Sequence, residues 1–198
     1  MKNKLFCLAA LAITSATGHS AILYSGPQNI LISNSFTSVY IDVDAVTSGS
    51  AQLSGWDVDA FFGGEAFGNS SSFQPVRQST SVSSPIVSLA VGDLVDAFDI
   101  YASAQAGSST HIGTGANQFA SGVTGYLGFR LIDNNSQGPF YGWMQVNFSN
   151  TGAPGTILDW AYENSGAAIT VGAVPEPSSV LLLGLSGALG LSIRRRKH

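Results

Sequence analysis

Gly125-Tyr-Leu-Gly-Phe-Arg-Leu-Ile132 and Tyr141-Gly-Trp-Met-Gln-Val-Asn-Phe148 decide how this chain is read. On an extended backbone Leu127, Phe129 and Leu131 fall on one side of the first stretch, and Met144, Val146 and Phe148 on one side of the second. A period of two is the signature of a half-buried strand. Asp133-Asn-Asn-Ser-Gln-Gly-Pro139 between them is a run of turn formers, so the pair is expected to close as a hairpin. Working outward, Ser38-Val-Tyr-Ile-Asp-Val-Asp44 puts Val39, Ile41 and Val43 on one face and Tyr40, Asp42 and Asp44 on the other. Pro85–Val91, Ile157–Tyr162 and Ala168–Val171 extend the series, and no long segment carries a helical period. Many short strands between Gly, Ser, Asn and Pro turns predict an all-β fold, an antiparallel β-sandwich of jelly-roll type over residues 21–172.

Composition supports an exported body of this kind. The 198 residues suffice for one sizeable core. Charged residues make up 10% of the chain, against roughly 25% in an ordinary soluble domain. That excludes a coiled coil, a charged disordered tail and a basic nucleic-acid binder. Between Ala21 and Val174 only Arg77 and Arg130 are basic, against eleven acids. Such a body repels nucleic acid and anionic lipid and attracts cations.

Both ends read as addresses. Lys2 and Lys4 precede the apolar run Leu5–Ile13 and then small residues, the order of a secretory signal peptide over residues 1–20. The Sec translocon and signal peptidase are the expected partners. The single cysteine, Cys7, lies inside this segment, so the mature chain is expected to lack disulfides and a cysteine nucleophile. At the other end Val174-Pro175-Glu176-Pro177 leads into an apolar run, residues 178–193. Arg194, Arg195, Arg196 and Lys197 follow. The prolines favour an extended spacer, the apolar run a short membrane helix, and the basic tail (194–198) a cytoplasmic stop.

This arrangement resembles the PEP-CTERM sorting signal of Gram-negative bacteria, here over residues 173–198. The resemblance implies recognition by an exosortase, a membrane-embedded cysteine transpeptidase-like protease. That enzyme would cut near Pro175-Glu176-Pro177 and pass the body from an inner-membrane intermediate to the cell surface, outer envelope or exopolysaccharide matrix. The block Gly125–Arg130, Tyr141-Gly-Trp143 and Asp159-Trp-Ala-Tyr-Glu163 also looks like one found in the bodies of such proteins, which implies no catalytic role.

Candidate chemistry is sparse. Asp42-Val-Asp44 and Asp57-Val-Asp59 are two D-x-D pairs whose carboxylates share a side of an extended strand. Calcium is the candidate cation, but it takes six to eight oxygens, more than either pair supplies. The favoured expectation is a solvated strand face with no cofactor. Glu65 and Glu163 are the only glutamates of the body available to a glycosidase, with nothing in the sequence bringing them together. His111 is expected in an exposed loop. Trp143 and Trp160 are expected in the core, leaving Trp56 as the candidate glycan contact. The expected function is that of a non-enzymatic surface or matrix protein, the alternative being a carbohydrate-binding module, calcium-assisted or not, and then a polysaccharide hydrolase.

Overall fold

A computed structural model describes residues 21–81, 84–102 and 111–175. The signal peptide and the apolar helix with its basic tail, both expected from the sequence, lie outside these residues. The described chain is all-β and antiparallel in its strand pairing. Among the described residues twelve strands run in chain order, beginning β1 (Ile22–Tyr24), β2 (Ile30–Ile32), β3 (Val39–Asp42), β4 (Thr47–Gly49), β5 (Val58–Phe61) and β6 (Ala66–Asn69). They continue β7 (Phe73–Pro75), β8 (Leu94–Val95), β9 (Thr124–Leu131), β10 (Phe140–Asn147), β11 (Gly155–Glu163) and β12 (Ile169–Thr170).

The long strands β9, β10 and β11 form the centre of a six-stranded sheet, in the order β1-β11-β10-β9-β7 with β2 also pairing β11. The β9–β10 hairpin forms as expected, Phe140 opposite Leu131 and Asn147 opposite Thr124. Its turn is held by Asp133, whose Oδ1 accepts the N–H groups of Asn135 and Gln137. A shift in register where β10 passes from Gln145 to Val146 lets β11 keep both Ile157 and Trp160 on the buried side. A four-stranded sheet, β4-β3-β5-β6, supplies the other half of the main core. Ile41, Val43, Val58 and Phe67 from it meet Leu127, Phe129, Met144, Val146 and Trp160. A second cluster lies on the other face of the six-stranded sheet, where Tyr141, Trp143 and Ala161 pack beneath Val95, Ile169 and Val171 of the small β8–β12 pair.

Two expectations are corrected. Residues 85–91 make isolated bridges, Ile86 to Arg77 and Leu89 to Tyr126, rather than a strand, because their backbone pairs first with the segment after β7 and then with β9 instead of running along one partner. His111 is buried, not a loop residue in water; its Nε2 lies 2.7 Å from the Gly64 carbonyl and its ring meets the edges of Phe119 and Phe148.

Candidate functional site: an acidic corner beside an aromatic cavity

Register brings together what sequence left as two separate pairs. Ile41 lies opposite Val58, and the Asp57 N–H donates to the Ile41 carbonyl at 2.7 Å. Asp42 and Asp57 therefore meet across the two strands, since cross-strand neighbours share a face. Asp44 joins them from the turn that follows β3. One oxygen from each of Asp42, Asp44 and Asp57 lies within 4.8 Å of the others. Asp59, one register step away opposite Tyr40 and Gly68, is outside the group.

The face is not solvated. Asp42 and Asp57 are 4% and 2% exposed, which overturns the expectation of a water-facing strand. Their oxygens are occupied by the chain itself. Asp42 Oδ1 accepts the Ala45 N–H and Oδ2 the Asn134 side-chain amide. Asp57 Oδ2 accepts the Val43 N–H at 2.8 Å, and the Ser70 hydroxyl also bonds its carboxylate. Asp44 Oδ2 accepts the Asn134 N–H. Asp44 Oδ1 alone of these is buried without a partner. Gly55 makes room for Asn134, because a Cβ at this position would lie 2.6 Å from the Asn134 side-chain oxygen.

Burial, with Asp44 and Asp42 adding like charge, pushes the Asp57 carboxyl up to about 7. Burial, and then a hydrogen bond in which protonated Asp44 donates to Asp42, raise Asp44 as well. The corner thus retains protons at pH values where exposed carboxylates have lost them. Asp42, Asp44 and Asp57 are the groups that could face a cation. With so many of their oxygens capping N–H groups, they fall short of a calcium shell.

Beside the corner is a cavity of about 230 Å³ lined by Leu23, Tyr24, Ser25, Asp44, Val46, Trp160 and Tyr162. It opens where the β1 edge of one sheet meets the turn after β3 of the other. Trp160 ties the layers together there, its indole N–H donating to the Val43 carbonyl at 3.0 Å. Burial and then the Asp44 charge raise the Tyr162 hydroxyl. Val46 has φ 54°, a left-handed conformation that a β-branched residue rarely adopts.

Of the residues singled out from sequence, Trp143 and Trp160 are core residues as expected, 2% and 1% exposed. Trp56 is half-buried, edge-on to Tyr40 at 5.8 Å, and does not line the cavity. Glu163 Oε2 caps the following turn, accepting from the Ser165 N–H and hydroxyl and the Ala167 N–H. Glu65 lies in the β5–β6 turn of the other sheet. Asn134, Ser70, Tyr24 and Val46 were missed. Nothing short of the β3–β5 register marks them, although the Asx-turn run 133–139 does place Asn134 in a turn.

Residues 173–197 match the PEP-CTERM protein-sorting motif. They include Val174, Pro175, Glu176 and Pro177 and the basic residues Arg194, Arg195, Arg196 and Lys197. The chain therefore carries the mark of an exosortase substrate, exported and sorted through a membrane-anchored stage. No curated protein and no solved structure matches the chain.

Proposed function

We propose that the body is a non-enzymatic component of the cell surface or extracellular matrix, associated with exopolysaccharide. Its fold is read as a jelly-roll-like sandwich, made for stable presentation rather than for chemistry. The Sec translocon and signal peptidase handle its N-terminus, and the exosortase its C-terminus. The observation that carries this reading is the sorting motif at 173–197, directly behind a body whose buried carboxylates cap its own turns. Intact mass of the protein recovered from wild-type and exosortase-deleted cells tests it. Wild-type cells should yield a chain cut near Pro175, fractionating with exopolysaccharide. The deletion strain should yield a membrane-held chain retaining residues up to His198. An unchanged mass in the two strains would sink the sorting step, and a cut protein free of polysaccharide would sink the destination.

A second reading, carbohydrate binding, is favoured by the cavity rather than by Trp56. Tyr24 offers exposed ring surface over a floor of the buried Trp160 and Tyr162, and Asp44 offers an acceptor for a hydroxyl. On a glycan array, with and without chelator, Tyr24→Ala should abolish binding while Trp56→Ala leaves it intact. Binding lost only through Trp56→Ala would return the site to Trp56.

A further inference from the structure

The described chain ends beside an apolar loop. β12 pairs with β8, Ile169 opposite Val95 and Thr170 opposite Leu94. The pairing continues toward the exit: Val171 N–H donates to the Asp93 carbonyl, and Gly92 N–H donates to that of Val171. The last clasp is the Trp143 indole N–H on the Ala173 carbonyl, at 3.0 Å. A Cβ at Gly172 would lie 3.3 Å from a Val91 methyl, so Val91 stands at the point where the chain leaves.

This loop turns its apolar side chains to the outside. Phe98 is 94% exposed, Val91 68%, Leu94 54% and Ile100 44%, and Val174 itself is 45% exposed. Its acids are occupied at home. Asp93 caps the Ala90 N–H, Asp96 the Phe98 N–H and Asp99 the Asp96 N–H. These caps shape the turn that holds Phe98 outward.

The tether limits where this surface can be. Six residues, Val174 to Ser179, separate the clasped Ala173 from Val180, the first aliphatic side chain of the 178–193 run. Fully extended they reach about 20 Å. Headgroups take up roughly 5–7 Å of that on each side of the hydrocarbon. A body of this size has a radius of gyration of about 15 Å, so the tether is shorter than the body is wide. The residues around the exit are held against the bilayer at a high effective concentration.

We propose that the Val91–Ile100 loop is a membrane-docking surface of the tethered precursor. Val91, Leu94 and Phe98 rest in the interface of a zwitterionic bilayer beside the emerging sorting segment. Anionic lipid is disfavoured by Asp93, Asp96 and Asp99 on the same loop. The proposal rests on the membrane-anchored stage of the reading above.

The test uses the chain from Ala21 to His198, which contains no cysteine of its own, reconstituted in phosphatidylcholine–phosphatidylethanolamine vesicles. Single cysteines carry an environment-sensitive fluorophore: Phe98→Cys, Val91→Cys, and as a control Phe36→Cys. Phe36 is 78% exposed and packs on Phe61 and Phe62 in the layer on the far side of the body. All three positions are exposed, and far-UV circular dichroism reports that each labelled chain keeps its fold. The expected result is blue-shifted emission and a several-fold loss to a headgroup-level quencher at positions 98 and 91, and neither at 36. Probes at 98 and 91 that report water on a chain floating with the vesicles would overturn docking while leaving the anchor intact. A chain that fails to float would overturn both. Shielding that appears only when an exosortase is added to the bilayer would assign the surface to the enzyme and overturn the lipid.

Discussion

Asp57→Asn should raise the melting temperature at pH 8 by roughly 5–15 °C and flatten the pH dependence of stability on the acid side of neutrality. The sign follows from the direction of the shift. The folded-state carboxyl is pushed from 3.8 up to about 7, so between those values the native chain holds a proton that the unfolded chain has released. Stability from this group is greatest below the unfolded value and is lost as pH rises through the folded one. The whole interval corresponds to about 4 kcal/mol. Asparagine keeps an oxygen for the Val43 N–H and places an amide donor toward Asp42 and Asp44 without a charge. Asp57→Ala lacks that oxygen and should destabilise by about 1–3 kcal/mol near pH 4, because the Val43 N–H loses its partner. By pH 8 removal of the buried charge offsets that loss, and its melting temperature should fall below that of Asp57→Asn at every pH. Thermal melts from pH 4 to 8 in chelator, repeated with calcium at pH 8, check both. An Asp57→Asn chain with wild-type pH dependence would remove the proton from this corner. A calcium-dependent rise at pH 8 that Asp57→Asn abolishes would assign the corner to the cation instead.

Gly142→Ala should be among the most damaging single-methyl changes in the body. Gly142 is the third residue of β10, between Phe129 on one neighbouring strand and Tyr162 on the other. A Cβ there would lie 2.3 Å from the Phe129 ring and 2.7 Å from the Ala161 carbonyl oxygen. Phe129 cannot swing aside, since it stacks on Phe73 at 4.6 Å. Overpacking of this kind costs about 3 kcal/mol, a fall of roughly 6–12 °C in melting temperature. Gly152→Ala is the control. It has φ 77° and nothing within 4 Å, so only the left-handed conformation is penalised, by about 1–2 kcal/mol. Equal losses at the two positions would remove packing as the reason that Tyr141-Gly-Trp143 has glycine at its centre.

What the sequence revealed divides along physical lines. Alternation is local, so the inward faces of β9 and β10 and the core positions of Trp143 and Trp160 could be read from residues alone. The turn at 133–139 was legible because Asx chemistry is also local. The acidic corner depends on which strand lies beside β3. Asp42 and Asp57 meet only through the β3–β5 register, and Asn134 arrives from the hairpin turn of the other sheet. No pattern within either D-x-D pair encodes that meeting, and so the pairs looked solvated. His111 misled for a related reason: Ser, Thr and Gly around it signal a loop, but a loop can still turn one ring into the core.

The indole bond from Trp143 to Ala173 bears on the life of the protein after processing. On the function proposed above, a cut near Pro175 would leave a new carboxyl end only a few residues beyond that bond. Whatever carrier is joined there would grip a stiff handle instead of a swivel. The delivered body would then keep one attitude toward its support, with the same flank always turned outward.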